Sequence, residues 1–166
     1  LESRLISLCR EKIDRCVMMQ GTLVRVFGRR VLLTGESGTG KTACSIRLAR
    51  KGHDWVADDV VVVKREEGGT LQGRAHSKIA GLAGIRGEGV VRADKVLPPG
   101  GIIRETSVDL VVSLVRDPVP EAGRISFRRV MGKKLPQLEL PCSLDASVLD
   151  AQIERQVVLM VHKGEE

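Results

Sequence analysis

Leu1, Leu5, Cys9, Ile13 and Val17 stand four apart, with Arg4, Arg10, Lys12 and Arg15 between them. That spacing lines one face of a helix and predicts one over residues 1–17. The period then shortens. Residues 22–27 and 31–34 are β-rich runs on either side of Gly28-Arg29-Arg30, which predicts a β-hairpin. A glycine-rich stretch from Gly35 to Gly40 leads into a helical pattern over 41–51, with Gly52 placed to close it. Val56-Ala57 and residues 60–63 read as strand, and Glu66-Glu67-Gly68-Gly69 as the turn that returns the chain to 70–73.

Further along, glycines at 81, 84, 87 and 89 predict a loop-rich passage, and Pro98-Pro99-Gly100-Gly101 breaks the chain. Residues 108–115 are a near-continuous apolar run, the pattern of a buried strand, while Gln137-Leu138-Glu139-Leu140 alternates like a half-exposed one. Ser147 is placed to cap a last helix through about residue 161. There is no repeat and no low-complexity tract. The pattern is that of one α/β domain with a preceding helix.

Composition narrows the function. With 166 residues, 42% hydrophobic and 29% charged, the chain can bury a single core and has too many aliphatic residues for intrinsic disorder. No apolar run approaches the length that spans a bilayer, so no membrane partner is expected. Phe27, Trp55 and Phe127 are its only aromatic residues, too few for a stacking platform that binds single-stranded nucleic acid. The net charge of +6 favours anionic partners, yet its basic residues are dispersed, so nucleotide phosphates or an acidic protein face fit better than nucleic acid. Cys9, Cys16, Cys44 and Cys142 show no paired spacing, which predicts free thiols in a reducing cytoplasm.

The chemistry sits in Gly35-Glu36-Ser37-Gly38-Thr39-Gly40-Lys41-Thr42, which matches G-x-x-x-x-G-K-[ST] in full, between a predicted strand and a predicted helix. Glycines let successive backbone N–H groups turn inward around a phosphate, and the helix N-terminus adds positive potential. Lys41 would reach the outer phosphates and the Thr42 hydroxyl would hold Mg²⁺. Asp58-Asp59 follows at the end of the next strand, placed to meet Mg²⁺ or an attacking hydroxyl. Both can serve one site only if the strand ends there, because adjacent side chains on a regular strand face opposite ways. Arg86, in the glycine-rich passage, and Arg124 are candidates for holding phosphate oxygens. His53, just past the helix, reads as a helix-end or surface residue.

Gly35 to Thr42, then Lys51-Gly52-His53 leading to Val56-Ala57-Asp58-Asp59, then Ile85-Arg86-Gly87 with Gly89-Val90, together resemble the catalytic domain of the HPr kinase/phosphorylase family. The resemblance runs from about Ser3 to Pro141. It implies a P-loop kinase domain, a mixed β-sheet with flanking helices, over residues 21–166. Residues 1–20 would be a linker helix from an N-terminal domain outside this sequence. It also implies ATP and Mg²⁺ as cofactors, transfer of phosphate to a serine of the phosphocarrier HPr, reversal by phosphorolysis, a cytoplasmic location and a hexamer. Position by position, Asp58 resembles the acid/base that takes the serine proton, Asp59 its acidic neighbour at the metal with Thr42, and Arg86 and Arg124 arginines near the transferred phosphate. Three positions depart from the family pattern. Gln20 stands where histidine is usual, Gly84 where glutamate is usual, and Cys142-Ser143-Leu144-Asp145 replaces a basic, glycine-containing loop after Pro141. A kinase for another peptide substrate, or an ATP sensor without transfer, remain as alternatives.

Overall fold

A computed structural model describes residues 16–162. Among the described residues twelve strands and three helices follow one another. The first half runs β1 (Cys16–Gln20), β2 (Thr22–Val26), β3 (Arg29–Gly35), α1 (Lys41–Arg50), β4 (Asp54–Ala57), β5 (Val60–Arg65) and β6 (Leu71–Ala75). The second runs β7 (Leu82–Ile85), β8 (Gly89–Arg92), α2 (Ala93–Val96), β9 (Glu105–Ser107), β10 (Leu110–Val115), β11 (Arg124–Val130), β12 (Lys133–Pro141) and α3 (Ala146–His162).

A six-stranded mixed sheet in the order β11-β12-β10-β3-β2-β4 forms the centre. Here β3, β10 and β12 run parallel, and the remaining strands pair antiparallel. Alternate residues of its central strands feed two separate cores. Val31, Leu33, Leu110 and Val112 pack with Cys44, Leu48, Leu149 and Ile153 of the helices α1 and α3. Leu32 and Val111 face the other way, against Val61, Val63 and Leu71 of a four-stranded sheet ordered β1-β5-β6-β9. Burial on both faces is why β10 reads as an unbroken apolar run rather than an alternating one. The α/β class, the first hairpin and the helix after the glycine-rich stretch are as the pattern predicts. Gly52, at φ 103, ends α1 in the left-handed conformation that favours glycine.

Two expectations change. The helix over 1–17, and the linker over 1–20, cannot extend through Cys16–Gln20, because these residues pair antiparallel with Val60–Lys64 as β1. The Val60–Val63 run offers an edge that the local helical spacing does not reveal; residues 1–15 of that expectation lie outside the described residues. The loop-rich passage folds into the β7–β8 hairpin, whose turn uses Gly87 at φ 87 and Gly89 at φ 81. The arginine-rich β11, to which the sequence pattern assigned no element, is an edge strand held by β12 through seven register pairs. The last helix starts at Ala146, one residue before Ser147.

Candidate functional site

β3 delivers the phosphate loop at the carboxyl end of the parallel strands, where open α/β sheets form ligand crevices. Gly35 must be glycine: a methyl on it would lie 2.6 Å from the Leu114 carbonyl oxygen and 2.7 Å from Thr39 Oγ1. The Thr39 hydroxyl donates back to the Glu36 carbonyl at 2.8 Å, bracing the turn. Lys41 folds over the loop, its Nζ donating to the carbonyls of Gly35 at 2.8 Å and Glu36 at 2.9 Å. Desolvation lowers the Lys41 pKa, against the opposing pull of Asp58 and Asp59. The first turn of α1 holds no acidic residue, and Gly40 places no side chain over its amides. Those amides are left open to an anion.

One corner of the loop is locked by Asp58. Its Oδ1 accepts from the hydroxyls of Thr42 at 2.8 Å and Thr22 at 2.7 Å, and its Oδ2 accepts the Gly84 amide at 3.0 Å. The side chain is buried. Asp59 is its opposite: exposed, with the backbone at φ 64 and its carbonyl accepting the Gly21 amide at 3.0 Å. Because β4 ends at Ala57, the two neighbours leave the strand together, and both exert their charge on Lys41. Of the two aspartates that sequence spacing put at the loop, Asp58 bonds the Thr42 hydroxyl, and Asp59 follows it at the surface.

The donor set fits Mg²⁺ and a triphosphate. A hydroxyl and a carboxylate oxygen stand together beside an ammonium and open amides, and hard oxygen ligands suit that ion. Among the described residues no three His, Cys, Asp or Glu side chains form a cage of their own. Thr42 and Asp58 are the side chains that would hold the ion, with phosphate and water oxygens left to complete its shell.

The arginines divide differently from the expectation. Arg86 does reach the loop: a methyl on Gly38 would lie 3.3 Å from its Nη2. Arg124 does not share that corner. It pairs with Glu139 at 2.7 Å, and the register Thr34–Ser113–Glu139–Arg124 sets it three strands away, about 14 Å at the usual interstrand spacing. Two arginines that sequence reasoning passed over lie closer. Arg116 donates through Nε to Glu36 Oε2 and through Nη2 to the Ser37 carbonyl, both at 3.1 Å. Arg128 reaches Thr34 Oγ1 at 3.3 Å, beside the Thr34–Ser113 hydroxyl pair. The available signal for Arg116 was its place directly after a buried strand. Pairing of that strand with β3 was needed to interpret it.

Gln20, Thr34, Gly35, Glu36, Ser113, Arg116 and Arg128 line a cleft of about 610 Å³ at the strand ends. The altered segment Cys142-Ser143-Leu144-Asp145 walls a neighbouring groove, which shares Arg116 and Asp117 with the cleft. Gly84 leaves space next to Asp58, where a methyl would meet only Asp58 Oδ2, at 4.0 Å. His53 is buried rather than solvent-facing, with Nε2 and Glu154 Oε1 2.8 Å apart.

A strand–loop–helix phosphate cradle at the carboxyl edge of a mixed sheet, with an acidic pair just past the end of the next strand, defines an α/β domain of the P-loop kind. Residues 11–162 match the family described as HPr Serine kinase C-terminal domain, and the chain belongs to that family. It is 34% identical over 146 residues to an HPr kinase/phosphorylase of Geobacillus kaustophilus, covering 85% of this chain and 47% of that protein. It is 35% identical over 136 residues to one of Geobacter sulfurreducens, covering 79% and 43% respectively. The chain thus spans about half the length of the curated relatives it matches. A solved structure titled as the Hpr(Ser) kinase/phosphatase from Coxiella burnetii superposes with a TM-score of 0.77 at 22% identity, over 90% of this chain and 95% of that one. That likeness carries the fold.

Proposed function

We propose that this chain performs the phosphoryl-transfer step of an ATP-dependent protein-serine kinase, acting on HPr or a related serine-bearing protein. The carrying observation is the corner where Lys41, Thr42 and Asp58 meet the open amides of α1, with the exposed Asp59 next to them. Gly35, Glu36, Ser37, Gly38, Thr39 and Gly40 would wrap the phosphates, and Lys41 would neutralise the outer ones. Mg²⁺, when bound, would draw negative charge from the phosphate oxygens beside Thr42.

The serine oxygen bonds to the γ-phosphorus as the bond from that phosphorus to the bridging β-oxygen breaks. ADP leaves with the electron pair, and the serine proton passes to a carboxylate. The family resemblance gave that proton to Asp58 and the metal to Asp59 with Thr42. The hydrogen bonds favour the reverse. Asp58 is buried and already accepts three donors, one of them the Thr42 hydroxyl, so it suits the metal side. Asp59 stands exposed where an incoming hydroxyl can meet it. Arg86, beside Gly38, suits the transferred group, whereas Arg124, paired with Glu139, suits the edge of the domain.

Gly84 and the neutral-to-acidic segment after Pro141 support a substrate changed from that of the relatives, so a different serine peptide is the second reading. The family resemblance carries reversal by phosphorolysis, a cytoplasmic setting and a hexamer; exposed Ile125 and Phe127 on edge strand β11 suit self-association. The test is incubation with γ-labelled ATP and purified HPr, alongside a panel of serine peptides. Label on a serine of either supports the kinase reading. Tight Mg-ATP binding with no transfer to any serine would establish the sensor instead.

A further inference from the structure

We propose that Arg116 is a catalytic arginine that, together with Arg86, clamps the phosphoryl group in transit. This rests on the ATP-dependent transfer reading above. Parallel pairing in the register Leu114↔Gly35 brings the end of β10 alongside the start of the phosphate loop, so Arg116 emerges next to Glu36 and Ser37. Its guanidinium is bonded there on two sides, to the Glu36 carboxylate and the Ser37 carbonyl.

Arg86 arrives at the same spot from β7. A methyl on Gly38 would lie 3.3 Å from Arg86 Nη2 and 3.7 Å from Arg116 Nη2. Two guanidinium groups are therefore gathered around one loop residue, although like charges this close repel. Among the described residues no carboxylate pairs with Arg86. Glu36, the partner of Arg116, is 78% exposed, so water weakens that ion pair and its loss costs little. An anion at the loop tip would reward both arginines.

The loop tip is also where charge changes during the reaction. As the serine oxygen takes the γ-phosphorus from the bridging oxygen, with the proton passing to Asp59 and the electron pair to ADP, charge spreads over the three equatorial phosphoryl oxygens and builds on the bridging oxygen. Fixed guanidinium donors on that group stabilise the transition state more than bound ATP. Arg116 would exchange its Glu36 contact for the phosphoryl oxygens, with Nη2 already against the loop. Its planar fork matters here, which a lysine ammonium does not reproduce.

The probe is ADP with Mg²⁺, titrated by calorimetry with and without aluminium fluoride, whose planar adduct mimics the phosphoryl group in flight. Wild type should bind ADP more tightly when fluoride is present. Arg116→Ala should bind ADP within about twofold of wild type, yet lose at least thirtyfold of the aluminium fluoride tightening, and Arg116→Lys should recover only part of it. The rate of transfer should fall about 10²–10³-fold in Arg116→Ala with the KM for ATP little changed. Equal tightening in wild type and Arg116→Ala overturns the proposal, as does a uniform loss of ADP and adduct binding. If wild type transfers phosphate but Arg116→Ala does so equally well, the clamp fails and the kinase reading stands. If the tightening depends on Arg116 but no serine substrate is ever labelled, the clamp stands and the kinase reading fails. A wild type that binds ADP with no tightening at all contradicts both.

Discussion

The two flanks of the phosphate loop are built in opposite ways. On the flank toward β2, β4 and β7, Asp58 is buried and held by Thr22, Thr42 and the Gly84 amide. On the flank toward β10, Arg116 is exposed and tied, among the described residues, to Glu36 and a carbonyl. A buried carboxylate held by three donors is expensive to disturb, because removing one partner leaves a desolvated charge. An exposed ion pair is cheap to exchange. The first flank suits a fixed metal and phosphate anchor, the second a group that changes partners during a turnover. Asp59, one residue from the buried anchor, belongs in its exposure with the second kind.

The largest effect should come from that exposed acid. Asp59→Asn keeps shape and removes the base, so serine transfer in a quenched-flow assay should drop about 10²–10⁴-fold while the fold is unchanged. Retention of most of the rate would break the comparison by moving the base elsewhere.

Next in size is the support behind the loop. Arg47 of α1 grips Asp150 of α3 through Nε and Nη2, both at 2.9 Å, and the Cys44 thiol adds a third contact at 3.4 Å. Asp150 is 2% exposed and Arg47 about a third exposed. Arg47→Ala strands the buried carboxylate. Discounted for the partly solvated arginine, it should lower unfolding free energy by about 2–4 kcal/mol in urea melts. A change under 1 kcal/mol would show that the two helices are held by their apolar faces alone. Burial, with Asp150 beside it, also pushes the Cys44 thiol far up, so it stays protonated and able to donate.

Lys41→Ala touches the part shared by both flanks. It removes a charged donor worth roughly 1.5–3 kcal/mol against phosphate, and calorimetry should show ATP affinity weakened at least tenfold. Unchanged affinity in a folded variant would remove the loop from nucleotide binding.

The smallest effect sharpens the role of α3. Burial alone would raise the Glu154 carboxyl, but hydrogen bonds from His53 and Lys51 outweigh it and hold the group below its ordinary value. A carboxyl lowered by folding contributes stability above its unfolded pKa, near 4.3, and loses that contribution as pH falls through the folded value. Melting temperatures of wild type and Glu154→Gln should therefore differ at pH 7 and converge as the pH falls below the ordinary carboxyl range and through the lowered folded value. A gap that stays constant over that range would mean packing, not charge, joins these residues.

How much of this was legible beforehand follows from how local each feature is. Gly35 to Thr42 is contiguous and each residue has its own physical reason, so the loop, its strand and its helix could all be placed in advance. Asp58 and Asp59 were locatable from spacing, but their division of labour was not. It depends on Thr22 and Gly84, which the chain brings to Asp58 from 36 and 26 residues away. Arg116 lay hidden for a similar reason. Its nearness to the loop comes from the parallel register of β10 with β3, a non-local fact, whereas Arg124 was favoured by resemblance and stands across the sheet with Glu139. Cys16–Gln20 misled because helical spacing upstream ran into residues that pair with β5.

The claim that one aspartate anchors and the other reacts is tested most directly by titrating ATP, with and without Mg²⁺, into Asp58→Asn and Asp59→Asn. Asp58→Asn should lose at least tenfold of the Mg²⁺-dependent gain in affinity, and Asp59→Asn should keep that gain within about threefold, on the scale of one charged contact. The opposite pattern, with Asp59→Asn losing the metal dependence and Asp58→Asn keeping it, would contradict the account.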